Sequence, residues 1–177
     1  MSELREILVK RNRVFEGKVI TVEENTVELP NGNAATREVV YHKGAVCVIA
    51  IVDEYMYFVN QFRFAPDEIL LEIPAGKIEV GEAPEVTAEK ELKEEIGGVA
   101  RDIKKLHEFY VSPGFSNELV YLYEASGITL ESQALEDDEF LELEKIHVSK
   151  LSELLKSGRV RDAKTIVAIQ HVLMHHS

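Results

Sequence analysis

Three glutamates stand at i, i+3 and i+4 in Lys90-Glu91-Leu92-Lys93-Glu94-Glu95-Ile96-Gly97, so a helix through them projects three like charges from one face. Like charges at that spacing weaken an isolated helix, and the surrounding fold must offset them. A divalent cation is the simplest offset, because hard ions such as Mg²⁺ and Mn²⁺ take carboxylate oxygens as ligands. A solvated acidic surface is the plainer reading of any charge run. The flanks separate the two. Leu70-Leu71-Glu72-Ile73 is an apolar run ended by Pro74-Ala75-Gly76, a turn that allows close backbone approach. Gly81-Glu82-Ala83-Pro84 supplies a second turn and a proline suited to the start of a helix, and Gly97-Gly98 supplies its stop. A strand, a glycine loop and a helix loaded with carboxylates predict a metal site.

These residues resemble the box of the Nudix hydrolases, G-x5-E-x7-R-E-U-x-E-E-x-G-U, where U is a bulky aliphatic residue. Gly76, Glu82, Glu91, Leu92, Glu94, Glu95 and Gly97 match it. Lys90 stands where the family has arginine, and Gly98 where it has an aliphatic residue. The family's arginine pairs with a glutamate, here Glu94 or a neighbour. Lysine keeps the charge but lacks the planar fork, so a looser pairing is expected. The resemblance implies that Glu91, Glu94 and Glu95 hold Mg²⁺ or Mn²⁺ with help from the Ala75 carbonyl. It also implies that Glu94 and Glu95 belong to the catalytic machinery, and that Glu72 and Glu82 lie near the site or support it.

Composition narrows the partners. With 20 basic against 32 acidic residues the formal net charge is −12, which argues against a nucleic-acid-backbone binder. A polyanionic substrate must then be attracted locally, by metal ions and a few arginines. The lone cysteine, Cys47, lies in the apolar run Ala45-Val46-Cys47-Val48-Ile49-Ala50 and reads as a small core residue. One cysteine makes no intramolecular disulfide and suits a reducing compartment. Neither a signal peptide nor an apolar run of membrane-spanning length is evident, so a cytoplasmic protein without membrane association is expected.

The pattern along the chain predicts an α+β plan. Val14 to Leu29 carries β-branched residues and alternation, broken near Gly17, and Pro30-Asn31-Gly32-Asn33 is a hairpin turn to a partner strand over Thr36 to His42. Gly44 to Val52 reads as a buried strand, Asp53-Glu54 as a tight turn, Tyr55 to Phe64 and Ile69 to Ile73 as further strands, and Pro84 to Ile96 as the box helix. Ile103 to Val111 and Leu119 to Ala125 follow as strands around Ser112-Pro113-Gly114-Phe115, then a strand over Phe140 to Val148. Leu151 to Lys156 and Ala163 to His175 read as helices parted by Gly158. His171 and His175, at i and i+4, are expected at a solvated helix end, and His42, His107 and His147 are expected to be isolated. The order of elements is similar to the Nudix fold, an α/β/α sandwich with a mixed sheet between helices. It carries an N-terminal β-hairpin segment (1–43) ahead of a catalytic domain (44–177).

That added hairpin resembles the ADP-ribose pyrophosphatase subgroup, as do Gln61-Phe62-Arg63, Leu71-Glu72-Ile73-Pro74-Ala75-Gly76 and Ser112-Pro113-Gly114. The resemblance implies an intertwined homodimer that hydrolyses ADP-ribose to AMP and ribose 5-phosphate. It assigns Pro113 and the adjoining Gly114 to substrate preference, Arg63 to the diphosphate, and Arg37 and Glu38 to the adenine end, with Phe15 as a stacking surface. Glu118 is a further candidate contact. The general base is expected in Leu135-Glu136-Asp137-Asp138-Glu139-Phe140, among Glu136, Asp138 and Glu139, with Glu139 favoured. Two alternatives stand beside this reading: a hydrolase of another nucleoside diphosphate compound, and a non-catalytic nucleotide-binding domain that has kept the fold.

Overall fold

The structure, a computed structural model, describes residues 4–135 and 139–175. The chain divides into two compact units, residues 1–44 with 110–119, and residues 45–109 with 120–177.

In the first unit, β1 (Ile7–Lys10) and β2 (Arg13–Glu16) lie end to end along one edge of β3 (Ile20–Glu28), and β4 (Ala34–His42) pairs along the other. The β3–β4 register runs from Ile20 opposite His42 to Glu28 opposite Ala34, closing at the Pro30–Asn33 turn. Every residue of β1 and β2 is exposed. The strand β1 was not expected from the sequence, because Ile7-Leu8-Val9 has no alternation to signal one face. It forms by pairing with the free edge of β3. On β3 the buried Glu23 accepts from Asn25 Nδ2 at 3.0 Å, with Arg11 Nε 3.3 Å away.

The second unit is built on a mixed sheet. In chain order it comprises β5 (Ala45–Val52), β6 (Tyr55–Arg63), β7 (Glu68–Glu72), β8 (Ala75–Lys77), α1 (Pro84–Ile96), β9 (Gly98–Val99), β10 (Asp102–Tyr110), β11 (Leu119–Ser126), β12 (Thr129–Leu130), β13 (Leu141–His147), α2 (Leu151–Lys156) and α3 (Ala163–His175). The strand order is β10-β11-β5-β6-β13, with β8 paired to β5 and β7 to β6. β5 runs parallel to β11 and antiparallel to β6. Asp53 and Glu54 join β5 to β6 with φ of 50° and 65°, the two positive values that match a hairpin turn to strand twist.

The apolar run of β5 follows from its place. A strand covered on both faces buries every side chain, and period two sends alternate residues to opposite layers. Val46, Val48 and Ala50 pack with Ala88, Leu92 and Ile96 of α1. Cys47 and Ile49 pack with Leu151 of α2 and with Ala168, Ile169 and Val172 of α3. The sheet is therefore sandwiched between helices, an α+β architecture as expected. Cys47 is fully buried, and burial pushes its thiol pKa up to about 12, so it stays a core residue.

Two expectations are corrected. Pro74-Ala75-Gly76, read as a turn in a glycine loop, instead leads straight into the strand β8, in register with Ala45–Cys47. His171 is not at a solvated helix end, nor is His107 isolated. His171 is buried, its Nδ1 lies 3.1 Å from His107 Nε2, and its ring stacks on His175 at 4.2 Å. The helix α3 turns this face inward, where the two histidine rings meet through one nitrogen of each. Among the described residues, no helix is long and apolar enough to cross a membrane.

Candidate metal site

The helix α1 starts at Pro84 and ends at Gly97, whose φ of 68° and amide bonds to Leu92 and Lys93 carbonyls make a left-handed C-cap. At its start the Thr87 hydroxyl donates to Glu82 Oε2 at 2.7 Å, so Glu82 braces the first turn. Thr87, Ala88, Leu92, Glu95 and Ile96 form the buried face. Glu95 is thus carried into the interior by the same stripe that anchors the helix, while Glu91, one turn earlier, is half-buried beside it.

Among the described residues, Glu91, Glu95 and Glu139 form a group whose ligand oxygens all lie within 4.8 Å of one another. Glu95 Oε2 accepts the Ala75 amide at 2.9 Å. A Cβ on residue 76 would stand 1.7 Å from Glu91 Oε1, so the glycine opens the space that this carboxylate fills. Burial pushes the Glu95 pKa from its ordinary 4.5 up to about 8. The Ala75 amide opposes that shift, and the Glu91 and Glu139 charges add to it. Three converging carboxylates, one nearly solvent-free, are the donor set of a hard divalent cation. The residues present fit such an ion.

A segment that the sequence did not mark precedes Glu139 in the chain. Residues 131–134 run along the end of α1 and satisfy carbonyls that a helix terminus leaves unpaired. The Glu131 amide donates to the Gly97 carbonyl at 2.7 Å, the Gln133 side chain to the Glu95 carbonyl at 2.5 Å, and the Ala134 amide to the Glu94 carbonyl at 3.0 Å. Any Cβ on residue 97 would lie 2.2 Å from the Glu131 carbonyl oxygen, so Gly97 serves this contact as well as the cap. Glu136 and Asp138, the other residues considered for the base, lie outside the described residues.

Glu94 is not in the carboxylate group; its Oε1 lies 3.9 Å from Lys90 Nζ, at the outer edge of an ion pair. Arg63 forks onto Glu72, Nε to Oε1 at 2.7 Å and NH2 to Oε2 at 2.8 Å. Burial works against the charge of Glu72, but Arg63 and Lys164 outweigh it and hold its pKa below the usual range. Lys164 Nζ contacts Glu72 Oε2 and lies 3.0 Å from Asp162 Oδ1. Asp162 in turn accepts from the Thr165 amide and hydroxyl at 2.9 and 2.6 Å, and Thr165 Oγ1 accepts the Ile73 amide at 2.9 Å. Sequence reading missed Asp162, Lys164, Thr165 and Gln133. An aspartate three residues before a threonine at the head of an apolar helix was the available capping signal for the first three.

The other predicted contacts fall in the first unit. Arg37 of β4 is held by Glu6, Nε to Oε2 at 2.9 Å, and Glu38 is exposed opposite Glu24 on β3. Pro113 and Gly114 are exposed, and Glu118 Oε1 lies 3.8 Å from His42 Nδ1. Phe15 is exposed on β2.

The raised pKa of Glu95 has a direct consequence. Below pH about 8 the metal-free carboxyl is largely protonated, so a cation must displace that proton to bind there. Calorimetric titration with Mn²⁺ in buffers of different ionisation enthalpy is expected to show proton release. Affinity is expected to climb with pH towards that value, by up to about tenfold per unit, and Glu95→Gln to abolish the release. Folded-state protonation also means that the metal-free protein loses stability as pH rises from 4.5 to about 8.

The comparisons with known proteins agree with this geometry. A family model described as "NUDIX domain" matches residues 41–168. A protein of Bacillus subtilis (strain 168) named "ADP-ribose pyrophosphatase" is 43% identical over 175 residues, covering 97% of this chain and 95% of that protein. A Bacillus methanolicus protein named "Methanol dehydrogenase activator" is 39% identical over 172 residues, covering 96% and 93%. In fold, the chain is similar to a crystal structure titled "Crystal structure of ADP compounds hydrolase", with a TM-score of 0.85, 22% identity, and coverage of 97% and 94%. With its family model spanning most of the sheet and the whole carboxylate helix, the chain belongs to the NUDIX domain family.

Proposed function

We propose that this NUDIX protein is a divalent-cation-dependent pyrophosphohydrolase that cleaves ADP-ribose to AMP and ribose 5-phosphate. The observation that carries the reading is the convergence of Glu91, Glu95 and Glu139. Its substrate assignment draws support from the near full-length similarity to the Bacillus subtilis pyrophosphatase.

In this reading Glu91 and Glu95, with Glu94 at the edge of the site and the Ala75 carbonyl, would hold Mg²⁺ or Mn²⁺. The bound ion supplies charge neutralisation on the diphosphate and a water of lowered pKa. Glu139 acts as general base and takes a proton from the attacking water. The water oxygen bonds to a phosphorus while the bond from that phosphorus to the bridging oxygen breaks. Arg63 contacts the diphosphate, since a guanidinium matches phosphate oxygens bidentately. Arg37, Glu38, Pro113, Gly114 and Glu118 serve the nucleotide and its selection.

Residues 1–43 act as a dimerisation and substrate-contact segment, and residues 44–177 as the catalytic domain. The exposed Ile7, Leu8, Val9, Val14 and Phe15 of β1 and β2 support a homodimer, because contiguous exposed apolar strands mark an interface or an aggregation hazard. A reduced thiol and strong negative charge suit a cytoplasmic enzyme of small molecules, without nucleic-acid or membrane partners.

Product analysis on ADP-ribose, ADP-glucose, a diadenosine polyphosphate, NADH and a nucleoside triphosphate tests the activity. ADP-ribose is expected to be converted preferentially to AMP, the turnover to vanish with chelator, and Glu139→Gln to lower kcat by about 10²–10⁴-fold with a smaller change in KM. Preference for another diphosphate would keep the metal site and overturn the substrate. No turnover of any compound would favour a nucleotide-binding domain. Light scattering is expected to give twice the chain mass for the wild type and a shift towards one chain for Phe15→Glu; a monomeric wild type would remove the dimer.

A further inference from the structure

Glu72 is a buried anion contacted by two cations, one of which, Lys164, it shares with Asp162. Arg63 and Lys164 both contact it, yet they differ in access: the Arg63 side chain is 40% exposed and that of Lys164 only 14%. An anion arriving from solvent can therefore recruit Arg63 but not Lys164. For Arg63 to leave, Glu72 must stay compensated, because a buried charge stripped of its partner is strongly destabilising. Lys164, shared with Asp162, meets part of that need without moving. It is pinned between Glu72 and Asp162, and Asp162 is itself fixed by the Thr165 amide and hydroxyl at the head of α3.

We propose that Lys164 is a positioning residue whose fixed contact with Glu72 releases Arg63 to bind the substrate diphosphate. The inference rests on the reading of Arg63 as a diphosphate contact. Neither Asp162 nor Lys164 touches the diphosphate in this scheme. Their task is to make Arg63 exchangeable between an internal carboxylate and an external phosphate. In the same arrangement Thr165 Oγ1 accepts the Ile73 amide, two residues before the Ala75 amide that donates to Glu95.

The test is steady-state kinetics on ADP-ribose with four variants, each checked by circular dichroism. Arg63→Gln examines the underlying reading and is expected to raise KM about tenfold or more, the loss of one charged contact. Lys164→Met leaves Glu72 to Arg63 alone; KM is expected to rise by about tenfold while kcat changes by less than about threefold. Lys164→Arg, which keeps the charge, is expected to recover most of that loss. Glu72→Gln combined with Lys164→Met removes the trap and the counter-charge together, and is expected to bring KM back towards the wild-type value. A raised KM in the double variant equal to that of Lys164→Met, or no rise in Lys164→Met, overturns the proposal. An unchanged KM in Arg63→Gln overturns the reading of Arg63 instead. Should Lys164→Met fail to fold, the double variant decides: a KM near the wild-type value supports the proposal, and a tenfold rise overturns it.

Discussion

Glu91, Glu95 and Glu139 place three carboxylate oxygens within 4.8 Å of one another, and several contacts of the second unit hold them there. Two ionised carboxylates at that separation repel by on the order of 3 kcal/mol at an effective dielectric near 20. The metal-free protein relieves part of this by keeping Glu95 protonated up to pH about 8. Leu92 and Ile96 anchor α1 on the sheet, Gly76 vacates the space for Glu91, and the Ala75 amide fixes Glu95. Residues 131–134 are fastened onto the end of the same helix. Like charges held at fixed distances by apolar packing and backbone hydrogen bonds are what the proposed cation site requires.

The corner from Glu72 to Lys77 is where both helix layers meet the sheet. From one layer, α1 reaches it through Glu95 and Glu91. From the other, α3 reaches it through Thr165 on the Ile73 amide and Lys164 on Glu72. The Pro74 carbonyl accepts the Val48 amide at 2.8 Å, which ties the corner to the central strand. Small displacements there would be felt by the carboxylate group and by Arg63 alike.

The box helix and its glutamates were legible because their spacing alone creates a problem that few environments solve. The central strand was legible because a sheet covered on both faces demands an unbroken apolar run, and β5 has one. Less was written in β8, where Ala75-Gly76-Lys77 carries no alternation and its strand identity comes from the edge of β5. The N-terminal β1 failed for a similar reason, with apolar residues in sequence and no polar partner face. His171 looked like part of a solvated tail, since only the tertiary position of β10 shows that His107 meets it. The ion network behind Glu72 depends on residues about ninety positions apart, so no local pattern could pair them, although the cap at Asp162 was visible.

Thermal unfolding of the wild type and Glu95→Gln, each with chelator and with Mg²⁺ at a pH above about 8, tests the carboxylate group most directly. If Glu91 and Glu95 hold a cation beside Glu139, Mg²⁺ raises Tm of the wild type and has little effect on Glu95→Gln. Glu95→Gln in chelator then melts above the metal-free wild type, because a buried repulsive charge has been removed. An equal Mg²⁺ effect on both proteins, or a variant that melts below the metal-free wild type, would contradict a fold organised around a cation.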